Sequence, residues 1–276
     1  MAFGTLSPLN KRRWQLFTRN KRGFWSFWIF AVLFLISAFA PFIANDRPIL
    51  VSYKGEMLYP TFVDYPESKF GGFLARTDFR DPVNQEEIQA NGWMIWPPIR
   101  YSYNTVNNEI PSPAPSAPAF QMTREQACAK YPLGVDDPNC VFGNLNWLGT
   151  DDQGRDVTAR LIYGFRISVA FGLILTLISS LIGMAAGAVQ GYFGGWTDLL
   201  LQRFIEIWTS MPGLYLLIIL AAFITPTFWI LLFIQILFSW TSIVGLVRAE
   251  FLRARNFEYV RAARALGLTD AKIMFK

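Results

Sequence analysis

The 276-residue chain contains no histidine. That excludes a His-Glu-x-x-His zinc site and any Ser-His or Cys-His catalytic pair. It has no Gly-x-x-x-x-Gly-Lys-Ser/Thr phosphate loop, so ATP hydrolysis by this chain is not expected. Cysteine is nearly absent, with only Cys128 and Cys140. Charge is missing over long stretches: Gly23 to Ala44, Ile167 to Trp196 and Ile207 to Val247 hold no Asp, Glu, Lys or Arg. What is abundant is apolar. Hydrophobic residues make up 53% of the chain, high for a soluble protein and expected for a membrane one. A net charge of +5 would suit nucleic acid, but the bases cluster beside the apolar runs, which is a topology signal instead.

Residues 1–22 carry Lys11, Arg12, Arg13, Arg19, Lys21 and Arg22 and no acid. At about 1.5 Å per residue, the following run over 23–44 crosses a hydrocarbon core of about 30 Å. A cleaved signal peptide is the alternative, with Ala38-Phe39-Ala40 as its site. The run is too long for that, and Pro41 disfavours cleavage. A retained transmembrane helix is therefore predicted, with a cytoplasmic N-terminus set by the flanking bases.

Residues 45–166 differ in character, with fifteen acids, eleven bases and no membrane-length run. After one crossing they belong outside, in the periplasm. Pro111-Ser-Pro-Ala-Pro-Ser-Ala-Pro118 reads as an extended connector, more a flexible linker than a recognition site. Thr123 and Gln126 have the spacing of a helix-opening capping box. Cys128 and Cys140 predict one disulfide in an oxidising compartment, the alternative being two unpaired thiols. Leu148 to Ser168 reads as a polar turn and a short amphipathic helix. Its carboxylates lack calcium-loop spacing, so it is expected to seat the next helix rather than to touch substrate.

The span expected over 167–190 has Gly183, Gly187 and Gly191 every four residues, extended by Gly172, Thr176 and Ser180. Such small faces let helices approach closely in lipid. The partner is either a helix of the same subunit or one of another. The forty-one uncharged residues 207–247 would make a helix of about 60 Å, too long for one crossing. They predict two spans, 207–224 and 228–247, turning at Pro226, with a kink at Met211-Pro212-Gly213. Asp198, Arg203 and Glu206 suggest a structural ion pair just before them. Counting four crossings leaves 248–276 in the cytoplasm, where seven bases against three acids agree with the positive-inside rule.

Phe257 to Lys272 reads as a helix, a glycine stop and a second helix start. Tyr259, Ala263 and Leu266 share one face, Gly267 closes the helix, and Thr269 or Asp270 caps the next. A basic amphipathic helix on the membrane surface is the plainer reading. The stretch resembles the EAA loop of ABC-importer permeases, the binding-protein-dependent transport inner-membrane subunits. Ala262-Ala263 and Gly267 match its spacing. Arg261 stands where that consensus has Glu, although the oligopeptide branch often reads Tyr-Val-x-Ala-Ala-Arg-Ala-Leu-Gly, as here. Gly149-Thr150-Asp151 through Asp156-Val157, Gly191 through Asp198, and the Asp198-x-x-x-x-Arg203 pair are also similar to dipeptide and oligopeptide permeases. The resemblance covers about 140–276 and the first span. The insertion over 45–140 is longer than usual and is similar to that of Yej-type peptide-transporter permeases. The Ile-x-Leu-Pro half of the loop is not in this sequence, which carries the expectation that the protein continues past Lys276 with about two more spans.

The resemblance implies an all-α integral membrane protein: polytopic permease helices with a large irregular periplasmic insertion, four spans here and about six in the complete protein. The implied segments are a cytoplasmic 1–22, a transmembrane 23–44, a periplasmic 45–166, and a permease core over 167–276 ending in a coupling loop at 257–276. It implies a bacterial inner-membrane subunit of a peptide importer, not an enzyme, with alternating access driven by partner ATPases. Tyr259, Arg261, Ala262, Ala263, Leu266 and Gly267 would meet an ATPase subunit. Implied partners are a second permease, ABC ATPases, a periplasmic peptide-binding protein, lipid and a peptide substrate, with no nucleic acid. No metal or cofactor is expected on this chain; ATP and Mg belong to the ATPases. The competing hypothesis is a membrane-anchored periplasmic adhesion or assembly protein. An intramembrane enzyme is disfavoured by the lack of histidine and of charge deep in the spans.

Overall fold

The computed structural model describes residues 7–275. The chain divides into two compact units, the boundary falling between Ile167 and Ser168.

The first unit opens with two helices, α1 (Pro8–Arg19) and α2 (Lys21–Ala38). Asn20 separates them, and its side chain accepts the Gly23 N–H at 3.3 Å, capping α2. Trp25, Phe27, Trp28, Ile29 and Phe30 along α2 are all exposed, as a helix wetted by lipid rather than water requires. The short α3 (Ala40–Ile43) follows, and here the chain is stitched down. Asn45 N–H bonds the Ile99 carbonyl and Ile99 N–H the Ile43 carbonyl, each at 3.0 Å. Ala40, Ala44, Ile99, Tyr101, Ala159 and Tyr163 form one small core.

Residues 45–166 are more ordered than the irregular insertion expected. Strands β1 (Leu50–Tyr53), β2 (Glu56–Leu58) and β3 (Gly92–Ile95) make an antiparallel sheet in the order β2-β1-β3. Register pairs Val51 with Leu58 and Ser52 with Trp93. The β1–β2 connection is two residues, Lys54 (φ 49°) and Gly55 (φ 84°), which matches the twist of the strands. Helix α4 (Pro82–Asn91) is capped by the Asp81 side chain on Val83 N–H at 2.8 Å, and Ile88 joins Val51, Tyr53, Leu58, Phe70 and Phe79 in a second core. The alternation that specifies this sheet spans only three or four residues per strand, too short to stand out among the surrounding Pro and Tyr.

Helix α5 (Arg124–Ala127) carries the capping box at Thr123 and Gln126. Cys128 and Cys140 are disulfide-bonded, with Cα atoms 5.8 Å apart, and pack with Tyr131 as a third core. The proline-rich stretch is not a free linker. Ser116 is buried, its N–H bonds Thr150 Oγ1 at 2.9 Å, and its carbonyl accepts the Thr150 N–H at 3.1 Å. Its composition gave no hint of a partner thirty-four positions away.

Helix α6 runs from Val157 to Phe193, beginning before the expected 167. Arg160 and Arg166 stop the apolar run but not the backbone ladder. In the second unit, α7 (Gly195–Ser210) and α8 (Gly213–Phe223) meet at a 60° bend. The bend falls at Met211-Pro212, where the sequence predicts a kink in the 207–224 span. Pro212 has no N–H and pushes Met211 into extended backbone (ψ 122°). Thr227 caps α9 (Phe228–Ser239), which Trp240 joins to α10 (Thr241–Ala254). The chain ends in α11 (Glu258–Ala265) and α12 (Asp270–Phe275). Among the described residues, three helices are long and apolar enough to cross a membrane, or four if the bent α7–α8 pair counts as one.

Candidate functional site

The α11–α12 hairpin is locally well specified. Phe257 is extended (ψ 148°), and α11 follows with Ala262, Ala263 and Ala265 as strong helix formers. Its end is a Schellman turn: Leu268 N–H bonds the Ala263 carbonyl at 3.2 Å and Gly267 N–H the Arg264 carbonyl at 3.0 Å. Gly267 has φ +77°, a region that favours glycine. Ile273 N–H bonds the Thr269 carbonyl at 3.1 Å, which starts α12.

One face of this hairpin is bare. Tyr259 is 67% and Leu266 82% exposed, Ala262 is exposed, and Ala263 is half-buried. The inward residue of α11 is Val260, only 8% exposed. Arg261 folds back towards the start of α11. Its guanidinium donates to the Asn256 carbonyl at 2.9 and 3.2 Å, closing the preceding turn. Sequence reasoning missed the contact that holds the hairpin to the rest of the unit. Tyr192, near the end of α6, donates its O–H to Asp270 Oδ1 at 2.6 Å. Arg264 lies 5.3 Å over the Tyr192 ring and 3.7 Å from the Asp270 carboxylate. Asp270 had suggested only a helix cap, and Tyr192 only part of the family-like Gly191–Asp198 stretch, because their partners are distant in sequence.

The glycines of α6 face α10. A Cβ on Gly187 would lie 2.8 Å from the Val244 carbonyl oxygen, and one on Gly191 2.5 Å from that of Arg248. One on Gly183 would strike Ile243 and the Trp240 carbonyl, whereas Gly172 faces open space. The same end of α10 carries Arg248, whose Nε and Nη2 reach Asp198 of α7 at 2.5 and 2.6 Å in a two-pronged pair. Arg203 instead pairs with Glu206 at 2.6 Å. The ion pair expected within 198–206 is thus Arg203–Glu206, while Asp198 ties α7 to α10 through Arg248.

Towards the middle of α6, Thr176, Ser179 and Ser180 face Ser239 and Ser242 across a cleft of about 480 Å³. Ser179 donates to the Leu175 carbonyl at 2.5 Å and Ser242 to the Ser239 carbonyl at 2.7 Å. Their protons are used within the helices, which leaves oxygen lone pairs as acceptors.

In the first unit, the 149–160 turn is built to start α6. Asp151 Oδ1 accepts the N–H groups of Gln153 and Arg155, each at 2.9 Å, and its Oδ2 accepts Arg155 Nε at 2.8 Å; Arg160 also pairs with it. Burial alone would raise the Asp151 carboxyl, but these donors hold it below the usual range. Asp156 caps α6 through Ala159 N–H at 2.7 Å and is fully buried, which pushes its carboxyl up. Gly149 (φ +77°) lets the backbone of Ala117 and Pro118 come within about 3 Å of where a Cβ would sit. The hydrogen bonds of Asp151 and Asp156 are all made within the turn and the first residues of α6.

Long lipid-suited helices, a glycine-mediated helix pair and a hairpin with one bare face define a polytopic membrane protein. Residues 179–276 match the family model described as the binding-protein-dependent transport system inner membrane component, and residues 7–62 match the N-terminal TM domain of oligopeptide transport permease C. The chain is 67% identical to the peptidoglycan transport system permease protein YejE of Agrobacterium fabrum, over 98% of this chain and 71% of the relative. It is 48% identical to the inner membrane ABC transporter permease protein YejE of Escherichia coli, over 98% and 73%. A dipeptide transport system permease protein DppC of Bacillus subtilis is 36% identical over 48% and 41%. The chain belongs to the family of ABC-importer permeases, the inner-membrane components of binding-protein-dependent transport systems. It is the membrane-embedded component and not the enzyme of such a system, which favours transport over the anchoring alternative. Neither family model extends over 63–178, where β3, α4 and the disulfide lie.

Proposed function

We propose that this chain is one of two different permease subunits in a bacterial inner-membrane importer of peptides, working with ATPase subunits that bind ATP and Mg and with a periplasmic peptide-binding protein. The N-terminus and the 257–276 hairpin lie in the cytoplasm, and 45–166 in the periplasm. Peptide-bearing cargo is supported by the relatives' names, which specify peptidoglycan, dipeptide and oligopeptide transport. The hydroxyl-lined cleft suits it, because uncharged acceptors bond peptide N–H groups without selecting among side chains. The observation that carries the proposal is the bare Tyr259–Leu266 face on a hairpin closed by Gly267 at positive φ. ATP-driven closure of the ATPases would push on that face and switch the helices between outward and inward openings.

The assembled transporter in proteoliposomes, with its binding protein, tests this. Ala263→Trp adds bulk to the face, and Gly267→Val strains the turn by about 1–2 kcal/mol. Both variants should insert normally, yet ATP hydrolysis stimulated by the binding protein and peptide uptake should fall together. Unmodified uptake by Ala263→Trp would show that this face is not the ATPase contact.

A further inference from the structure

We propose that Tyr192, Asp270 and Arg264 form a latch that passes movement of the hairpin into α6, making Tyr192 and Asp270 positioning residues for transport. The inference rests on the proposed ATPase contact of the hairpin and adds the route by which its motion reaches the membrane.

The contact is strong and well placed. The Tyr192 side chain is 4% exposed, so its orientation is set by packing, and its O–H reaches a carboxylate at 2.6 Å, the short distance of a charge-assisted hydrogen bond. The partners are seventy-eight positions apart, so chain continuity does not impose the contact. Arg264 on α11 covers the ring and approaches the same carboxylate, so both arms of the hairpin meet at one phenol. Arg264 follows Tyr259 by five residues and precedes Leu266 by two, spacings that put it off the α11 face those two share at about 100° of turn per residue. Hairpin and α6 therefore have a joint that the ATPase does not need to touch.

On the other side of the joint, α6 does not move alone. Gly191, next to Tyr192, lies against the backbone of Arg248, and Gly187 and Gly183 continue the close contact along α10. Arg248 in turn grips Asp198 of α7. Packed surfaces of this kind shift as rigid elements rather than deform. A displacement at Asp270 thus reaches the helices that line the hydroxyl cleft.

The test compares Tyr192→Phe, Asp270→Ala and Asp270→Asn in the full transporter. Tyr192→Phe keeps the ring under Arg264 and removes only the hydrogen bond. Asp270 is about half exposed, so its variants leave the buried face untouched even if Tyr192→Phe folds poorly. Two readouts are taken: recovery of the ATPase subunit with the permease in mild detergent, and peptide taken up per ATP hydrolysed, using a tryptic casein digest and mass spectrometry of vesicle contents. Tyr192→Phe and Asp270→Ala should retain the ATPase and lose about tenfold in uptake per ATP, the factor expected when a hydrogen bond to a charged group is deleted. Asp270→Asn, which still accepts from the phenol, should recover much of it. Unchanged uptake per ATP in Tyr192→Phe and Asp270→Ala overturns the latch, and so does loss of the ATPase from both, which would make these residues part of docking. Failure of the docking proposal is read separately, from Ala263→Trp.

Discussion

At the scale of single residues, the most informative side chains are polar ones held by several donors. Glu67 is the clearest. Asn84 Nδ2 donates to its Oε1 at 2.8 Å, and the N–H groups of Leu74 and Phe73 donate to its Oε2 at 3.0 and 3.1 Å. The Asn84 amide, then Leu74 N–H, lower its pKa against the opposing effect of burial, with Phe73 N–H adding to them. A carboxyl lowered on folding stabilises the folded state above its unfolded value, about 4.3, and that contribution disappears as pH falls through the folded value. Glu67→Gln should therefore lower the unfolding temperature at pH 7 and reduce the further loss on acidification from pH 5 to pH 3. Tryptophan fluorescence melts of the detergent-solubilised chain report this, since Trp96 packs against the same core. Equal melting of variant and unmodified protein at pH 7 would remove Glu67 from the account of stability.

At the scale of elements, the pairing of α6 with α10 is decided by what is missing from α6. A side chain at 183, 187 or 191 would collide with α10, while one at 172 would meet nothing within 4 Å. Overpacking of a tight contact costs about 1–3 kcal/mol. Gly187→Val should therefore lower the melting temperature in detergent, and Gly172→Val should leave it within error. A matched fall in both variants would mean that general helix propensity, not the α10 contact, governs these positions. The α7–α8 bend follows similar logic. Pro212 forbids a straight helix, and Trp208 Nε1 then finds the Leu237 carbonyl of α9 at 2.8 Å, an acceptor it shares with Trp240 at 2.9 Å. Two indoles on one carbonyl mark where the second unit's helices are fastened.

At the scale of the whole molecule, the large segment between the first apolar helix and α6 is a folded body with three small cores and a disulfide. A cross-link across a sequence separation of 12 contributes about 3 kcal/mol in the chain-entropy model. Such a bond is at home in an oxidising compartment. Protein isolated from intact membranes under alkylating conditions should resist labelling at Cys128 and Cys140 until a reductant is added. Labelling of both without reductant would place this segment on the reducing side and reverse the proposed topology.

How much of this was legible beforehand depends on the range of the interaction. The charge-free runs, the capping box at Thr123, the stop at Gly267 and the kink at Pro212 are local, each set by hydrogen bonding or sterics within a few residues. The sequence alone determined those, along with the class of protein, because lipid demands long apolar helices whatever their neighbours are. Only the tertiary structure decided that Ser116 pairs with Thr150, that Asp198 grips Arg248 rather than Arg203, that α6 packs on α10, and that Tyr192 holds Asp270. Each joins residues far apart in the chain, and side-chain charge or size specifies what a residue is able to bond, not which distant partner the folded backbone brings within reach.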